Sequence, residues 1–149
     1  MSATADITPV TNLIAAYAEL VDTGDFAGVG ELFADAVFIA SGAPVSGRHG
    51  GVEKMLRDSV ILYEDGTPRT QHVTTNIAVD IDEETGTAAA RSYVTVFQAL
   101  PDFPLQPVAA GRYNDRFEHS DGRWRFTERR ILIHLVGDVS RHLRAQPTR

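Results

Sequence analysis

The chain has 149 residues, of which 43% are hydrophobic and 23% are charged, and it contains no cysteine. A chain of this length is expected to form one domain that buries roughly 70% of the surface exposed by the unfolded chain. The lack of cysteine excludes disulfides, thiolate metal sites and a thiol nucleophile. The formal charge of −6 argues against a nucleic-acid partner, because phosphate recognition depends on an excess of Lys and Arg.

The sequence shows no sign of membrane insertion or export. No stretch approaches the roughly 20 apolar residues that a membrane span requires, so we expect no membrane association. Residues 1–6 lack the basic region and the apolar run of a signal peptide, which makes a cytoplasmic protein the default expectation. Without internal repeats or long linkers, we expect a single domain over residues 1–136, followed by a polar tail over residues 137–149.

Apolar residues recur at helical spacing in the first part of the chain. Thr8-Pro9 is a typical helix start, because proline at the first helical position has no N–H group that needs a partner. This helix is expected to end at Thr23-Gly24, and a second, short helix is expected to begin near Asp25. Residues 37–39 are typical of a short strand, and residues 52–62 of a third helix.

After Gly66 the apolar period changes from 3.6 to 2, which indicates strands. Four strands are expected, over residues 72–81, 87–100, 110–119 and 123–134. Asp121-Gly122 suits a two-residue hairpin turn between the last two. Three prolines are expected to form a stiff loop between the middle two: Pro101, Pro104 and Pro107. The predicted fold is α+β, with three N-terminal helices packed on one face of a strongly curved antiparallel sheet.

Three stretches of the sequence, taken in order, resemble a known family. They are residues 17–33, which include Asp22-Thr23-Gly24-Asp25, then Gly47–Val52, and finally Gly111 to Phe126. At these separations they resemble the nuclear-transport-factor-2-like superfamily, specifically its SnoaL-like branch. The resemblance implies a cone in which the sheet wraps around the helices and leaves a mostly apolar pocket. It also implies a homodimer formed through the open face of the sheet.

Two residues correspond to a catalytic pair of this family. Scytalone dehydratase and hexachlorocyclohexane dehydrochlorinase use an Asp at the end of the first helix and a His at the start of a sheet strand. Asp22 and His72 resemble these two residues. The chain differs from scytalone dehydratase in having no second His over residues 91–97 and in having Val21 before the Asp. The resemblance therefore implies His–Asp proton transfer without implying the same substrate.

The chemistry of the two residue types suits such a role. An imidazole can take or give a proton near neutral pH, and a carboxylate bound to one ring nitrogen fixes the tautomer. The strand alternation places His72 on the face of Thr74 and Asn76, away from Val73 and Ile77. Either this polar face lines the pocket, or a β-bulge redirects one of the residues.

Further residues are expected to contact the substrate. The candidates are Tyr17, Phe33, Val96, Phe97, Tyr113, Asn114, Trp124 and Phe126. Because Tyr113 and Asn114 alternate, at most one of them lines the pocket without a bulge. A hydroxyl of Tyr17 or Tyr113 would stabilise a developing oxyanion or assist a leaving group. An inward-facing Arg129 could hold an anionic group of the substrate.

These observations favour an enzyme that needs no metal and no cofactor. No cluster of His, Asp and Glu has zinc-ligand spacing, and the Gly-rich stretch near Gly50 lacks the Lys-Ser/Thr of a phosphate loop. The leading hypothesis is a lyase or isomerase acting on a small apolar organic molecule. The alternatives are a non-catalytic ligand-binding module and the small subunit of an aromatic-ring dioxygenase. If the tail forms a helix from Asp138, it is expected to cover the pocket.

Overall fold

Three α-helices and six β-strands form the part of the chain that the computed structural model describes, residues 4–145. The helices are α1 (Thr8–Asp22), α2 (Phe26–Leu32) and α3 (Gly51–Ser59). The strands are β1 (Val37–Ile39), β2 (Val45–Ser46), β3 (Thr70–Asp82), β4 (Thr87–Leu100), β5 (Phe103–Ser120) and β6 (Arg123–Val136). The predicted α+β class is confirmed. None of the helices within residues 4–145 is both long enough and apolar enough to cross a membrane.

The strands form one sheet in the order β2-β1-β6-β5-β4-β3. Neighbouring strands are antiparallel except β1 and β6, which run parallel with Phe38 opposite Arg129. The sheet is therefore mixed, whereas the sequence predicted an antiparallel one. The parallel pair joins strands that are far apart in sequence: β1 precedes α3 in the chain but lies beside the last strand, β6.

The ends of the helices follow local sequence signals. The Thr8 N–H donates to Asp6 Oδ1 at 2.9 Å at the start of α1, and Asp25 caps α2 by accepting the Gly28 N–H at 2.8 Å. The predicted starts of both helices are confirmed. The third helix ends at Ser59, three residues before its predicted end, because Val60 adopts an extended conformation and bridges to the C-terminal segment.

The hairpin between β5 and β6 is the one that the sequence predicts. Ser120 pairs with Arg123, and the two residues between them, Asp121 and Gly122, have φ angles of 53° and 77°. Positive φ at both positions is what a type I′ turn requires. Asp tolerates this region better than most residues, and Gly adopts it without strain.

The prolines after β4 do not form the predicted loop. Only Pro101 and Asp102 make the turn, since Leu100 already pairs with Phe103 across it. Pro104 and Pro107 lie within β5, where two register shifts against β4 accommodate residues without an N–H donor. The loop was predicted from residue type alone. The pairing of β5 with β4 instead extends the strand through Pro104 and Pro107.

A β-bulge interrupts the pairing of β3 with β4. Thr75 lies opposite Tyr93 and Ala78 lies opposite Arg91, so β3 carries one residue more than β4 between the two pairs. Asn76, inside the bulge, has a φ of 55°. A single extra residue reverses the side-chain alternation, because successive side chains point to opposite faces of a sheet.

The bulge lets polar and apolar residues of β3 share the inner face of the sheet. Before it, His72 lies opposite Val96; after it, Val79 lies opposite Ala90. Val96 and Ala90 are both buried against the helices. Both sequence alternatives therefore hold: the polar face of the first half of β3 points inward, and a bulge turns the apolar face of the second half inward as well.

The core lies between this inner face and the helices. Its largest fully buried apolar side chains are Phe26, Phe33, Phe38, Phe117, Phe126 and Ile14. The rings of Phe33 and Phe126 lie 4.6 Å apart, and those of Phe117 and Phe126 are equally close. These aromatic side chains fill the space between the inner face of the sheet and the helices.

The segment after β6 folds back onto the domain. The Gly137 N–H donates to the Val108 carbonyl at 2.8 Å, and Val139 is buried. The residues from Asp138 to 145 form turns and one bridge, between Leu143 and Val60, so the conditional helix from Asp138 is not formed there. Residues 146–149 of the predicted tail lie outside the described residues.

A substitution at Gly47 tests the packing of the turn before α3. A Cβ added there would lie 1.6 Å from the carbonyl oxygen of Phe33, which is backbone and cannot move aside alone. We expect Gly47→Ala to lower the free energy of unfolding by about 1–3 kcal/mol, as measured by urea denaturation. Ala43→Gly, at an exposed position nearby, should change it by less than about 0.5 kcal/mol. Equal effects would contradict this interpretation.

Candidate active site

Asp22 and His72 are in direct contact. The Nδ1 atom of His72 lies 2.6 Å from Asp22 Oδ1, and the His72 backbone N–H donates to Asp22 Oδ2 at 2.8 Å. The Thr70 hydroxyl also donates to Oδ1, at 2.8 Å. The side chain of His72 is 7% exposed and that of Asp22 is 19% exposed. The carboxylate is thus held by three donors at the boundary between solvent and interior.

This contact arises from how α1 meets β3. Asp22 is the last residue of α1. Thr70 and His72 are the first and third residues of β3. Thr70 and His72 are two residues apart, so their side chains share the inner face toward α1. The helix end and the strand start therefore converge on one carboxylate, with a backbone donor between the two side-chain donors.

The hydrogen bonds define the tautomer of His72. An ionised carboxylate can only accept, so the Nδ1 atom beside Asp22 must carry the proton. Nε2 then holds a free lone pair when the ring is neutral. A carboxylate in this position also stabilises the imidazolium that forms when Nε2 takes a proton. The arrangement orients the imidazole with Nε2 directed away from the carboxylate.

Tyr17 connects this pair to a second polar group in the core. Its ring lies edge-on to that of His72 at a centroid distance of 6.3 Å, and the centre of the Tyr17 ring lies 4.5 Å from the guanidinium carbon of Arg129. Burial raises the pKa of the Tyr17 phenol to about 12, although Arg129 opposes the shift. The hydroxyl is therefore neutral near pH 7 and can serve as a hydrogen-bond donor.

Arg129 is fully buried and forms a bidentate ion pair with Asp115. Its Nε and Nη2 atoms lie 2.8 and 2.9 Å from the two carboxylate oxygens. The guanidinium carbon is 3.7 Å from the centre of the Tyr113 ring, so the cation lies against the rings of both tyrosines. Its third nitrogen, Nη1, is buried and has no hydrogen-bond partner among the described residues. The inward orientation considered from the sequence is the one observed.

His142 also belongs to this cluster, although sequence analysis named no partner for it. Its ring lies 6.4 Å from that of His72, centroid to centroid, and its Nδ1 atom is buried without a hydrogen-bond partner among residues 4–145. The C-terminal segment brings it there, 70 positions after His72 in the chain. No local pattern could have revealed this proximity, since it depends on the path of the chain after β6.

Several predicted substrate-binding residues lie near the pair. Val96 is directly opposite His72 on the inner face of the sheet, and Tyr17 contacts the His72 ring edge-on. Tyr113 points inward and packs 5.9 Å from Tyr17, while Phe33 and Phe126 form the next layer behind Tyr17. These five side chains are buried together, so the region beside His72 is filled mainly by aromatic and aliphatic groups.

Three other predicted binding residues lie elsewhere. Phe97 follows Val96 in β4 and points to the opposite, outer face of the sheet, because side chains alternate along a strand. Asn114 is exposed on the same outer face, where it lines a groove of about 420 Å³ with Arg91 and Arg130. The predictions that Phe97 and Asn114 contact the same ligand as His72 are therefore wrong.

Trp124 is the third displaced residue. It stacks near His119 at a ring distance of 5.2 Å and lines a groove of about 690 Å³ beside the start of α1. Leu13 lines the same groove. A helix rises 1.5 Å per residue, so this groove lies roughly 13 Å along α1 from Asp22. Trp124 is the second residue of β6, next to the hairpin turn. This position explains its separation from Asp22.

The site offers no evident metal-binding cluster. Within residues 4–145, no group of three or more His, Asp and Glu side chains is arranged to hold a metal ion. Asp22 and His72 already use the hydrogen-bonding atoms that face each other.

The buried position of His142 leads to a prediction for acid stability. Burial lowers its pKa from the usual value near 6.5 to about 4, and the neighbouring His72 adds to the shift while Asp22 opposes it. The unfolded chain therefore binds a proton here at a higher pH than the folded chain. The stability from this residue is present above about pH 6.5 and is lost as the pH falls toward 4.

We expect this loss to be about 3 kcal/mol, from the size of the pKa shift. The measurement is the free energy of unfolding by urea at several pH values between 7 and 4, for the wild type and for His142→Asn. Asparagine does not titrate, so the wild type should lose more stability than the variant over this range. Parallel pH profiles for the two proteins would contradict the prediction.

Comparisons with known proteins agree with this architecture. The sequence profile of the SnoaL-like domain matches residues 2–130. A comparison with curated proteins gives no match. The chain is 26% identical to the solved aspartate-to-asparagine variant of Rv3472, a Mycobacterium tuberculosis protein of unknown function, over 86% of this chain and 71% of that one, with a TM-score of 0.69.

Two further solved structures share the fold at lower identity. One is a candidate scytalone dehydratase from Novosphingobium aromaticivorans, 24% identical over 89% of this chain and 86% of its own, with a TM-score of 0.69. The other is LinA, 16% identical over 94% of this chain and 93% of its own, with a TM-score of 0.70. The domain match over residues 2–130 shows that the chain belongs to the SnoaL-like family of the nuclear-transport-factor-2-like superfamily.

Proposed function

We propose that the protein is a cofactor-independent lyase or isomerase in which His72 is the general base. The observation that carries this proposal is the 2.6 Å contact between His72 Nδ1 and Asp22 Oδ1, with the second carboxylate oxygen bound to the His72 backbone. This geometry leaves Nε2 as the proton acceptor. An imidazole oriented by a carboxylate is well suited to take a proton from carbon and to return it.

The surroundings of His72 favour a small, largely apolar organic substrate. The buried side chains beside it are Tyr17, Val96 and, behind them, aromatic rings. The low exposure of the His72 side chain, 7%, favours a substrate that is enclosed when bound. Enclosure strengthens hydrogen bonds to a developing charge, because water no longer competes for them.

Tyr17 and Arg129 are our candidates for stabilising the negative charge that forms as the proton leaves. The Tyr17 ring contacts that of His72, and its phenol is neutral. The cation of Arg129 lies over the Tyr17 ring. Tyr113, the second candidate from the sequence, lies behind Tyr17 and contacts Arg129. We therefore assign the oxyanion contact to Tyr17 and a supporting electrostatic role to Arg129.

Deuterium exchange tests the general base without knowledge of the natural reaction. The probes are cyclohex-2-enone, 3-hydroxycyclohexanone and β-tetralone, each incubated with the protein in D₂O and followed by proton NMR. We expect the wild type to accelerate deuterium incorporation next to the carbonyl. His72→Gln should reduce this rate by about 10²- to 10⁴-fold, the usual contribution of a positioned base.

The matched control is His119→Gln, the same change at an exposed histidine of β5. It should retain the wild-type rate, and both variants should retain the far-UV circular dichroism spectrum. Exchange by the wild type that is no faster than by His72→Gln, for all three ketones, would refute the general-base proposal. A non-catalytic ligand-binding module would then be the better interpretation.

We also propose that the protein is a homodimer that buries the end of β6. The pairing of β1 with β6 stops at Arg130, and beyond it Leu132, Leu135 and Val136 are about half exposed. A free strand edge with exposed apolar side chains favours pairing with an identical edge, since a twofold axis satisfies both copies at once. The partner that we assign to this surface is therefore a second copy of the chain.

Light scattering after size-exclusion chromatography measures the oligomeric state. We expect a dimer for the wild type and a monomer for Leu135→Glu, because the new charge would be buried without a partner. Ile77→Glu should remain dimeric, because Ile77 is an exposed apolar residue of β3, the strand at the opposite edge of the sheet. A monomeric wild type would contradict the homodimer and favour the alternative of a small subunit that assembles with a larger chain.

A further inference from the structure

The C-terminal segment places a second histidine beside the candidate base. The His142 ring lies 6.4 Å from the His72 ring at an interplanar angle of 69°, and His142 is only 8% exposed. Its backbone is fixed to the loop after α3, where the Ile61 N–H donates to the His142 carbonyl at 2.9 Å. The position of the imidazole is therefore determined by a hydrogen-bonded chain segment.

The neighbouring residue strengthens this attachment. The Arg141 carbonyl accepts hydrogen bonds from Gln98 Nε2, at 2.9 Å, and from the Tyr63 hydroxyl. The Arg141 guanidinium pairs with Asp102 in the turn between β4 and β5. These contacts involve the backbone of Arg141 and His142 or the Arg141 side chain. A substitution of the His142 side chain leaves all of these contacts possible. Its effect therefore comes from the loss of the imidazole.

The imidazole has an unmet hydrogen bond. His142 Nδ1 is buried, and the structure gives it no partner among residues 4–145. Buried polar atoms of this kind are few in native proteins, and each calls for an explanation. His142 does not complete the Asp22–His72 pair, because Asp22 is already bound to the ring and backbone of His72 and to Thr70. The ring that carries this unpartnered nitrogen lies beside a candidate catalytic residue.

We propose that His142 is a second substrate contact of this site, with Nδ1 bonded to an oxygen of the substrate while His72 acts on a neighbouring carbon. This inference rests on the proposed function and narrows its substrate class to ketones and hydroxy-ketones. A neutral imidazole either donates to a carbonyl or accepts from a hydroxyl, depending on its tautomer. A halogenated hydrocarbon without oxygen offers it no comparable partner.

The protonation state of His142 agrees with this role. Burial and the proximity of His72 lower its pKa to about 4, so the ring is neutral at neutral pH. A neutral ring does not repel the positive charge that His72 acquires when it takes a proton. Two neutral imidazoles can therefore lie side by side, one serving as the base and the other as a hydrogen-bonding group.

The test compares two substitutions of His142 with two probes. Asparagine keeps a polar group close to the position of Nδ1, whereas leucine removes it. His119→Leu is the control, at an exposed histidine of β5. The probes are β-tetralone, which has a carbonyl oxygen, and tetralin, the hydrocarbon of nearly the same shape. The readouts are KM and kcat for deuterium exchange of β-tetralone, and the ring ¹⁵N shifts of His142 when either probe is added.

If the inference is correct, His142→Leu raises KM for β-tetralone about five- to tenfold, the range that one lost hydrogen bond produces. His142→Asn recovers most of this loss, and His119→Leu matches the wild type. In the wild type, β-tetralone shifts the His142 Nδ1 signal and tetralin does not. A purely structural role would give equal effects for leucine and asparagine, or would weaken the binding of both probes alike.

The outcomes separate this inference from the proposed function. Normal exchange by the His142→Leu variant, with unchanged KM, would overturn the role of His142 and leave His72 as the base. A shift of the His142 signal by β-tetralone without any exchange would support the oxygen contact and overturn the general base. The absence of both deuterium exchange and a shift of the His142 signal would overturn both proposals.

Discussion

The half-buried carboxylate of Asp22 is the constraint on which the site depends. A carboxylate removed from water is costly unless hydrogen bonds replace its hydration. Three donors from the start of β3 provide this replacement: the Thr70 hydroxyl, the His72 N–H and the His72 ring. The same bonds join the end of α1 to the sheet and orient the imidazole. The hydrogen bonds that the Asp22 carboxylate requires therefore position both α1 and the candidate base, His72.

The interior extends this principle to a second charged pair. Arg129 and Asp115 are both fully buried, and their bidentate contact lies against the rings of Tyr17 and Tyr113. Breaking such a pair would leave one charge buried without a partner, which is far more costly than losing an exposed ion pair. Fixed dipoles and charges in an apolar surrounding need little reorganisation during a reaction, and this is the setting in which electrostatic stabilisation is largest.

Sequence reasoning succeeded where the signal was local or carried by the family. The periodicity of Leu13, Tyr17 and Val21 predicted α1, and Asp121-Gly122 predicted the hairpin. The resemblance assigned Asp22 and His72, which the structure places in contact. Alternation alone could not place the two halves of β3 on one face, because the face depends on a single extra residue at the bulge near Asn76.

The sequence by itself determined the fold class, the helix starts and the identity of the two residues that meet at the end of α1, since these follow from short-range spacing, caps and family motifs. Only the tertiary structure decided that β5 continues through Pro104 and that Asn114 faces outward. It alone placed Trp124 beside a distant groove and His142 beside His72. These features depend on strand pairing and on the path of the chain after β6, which join residues far apart in sequence and leave no periodic trace in it.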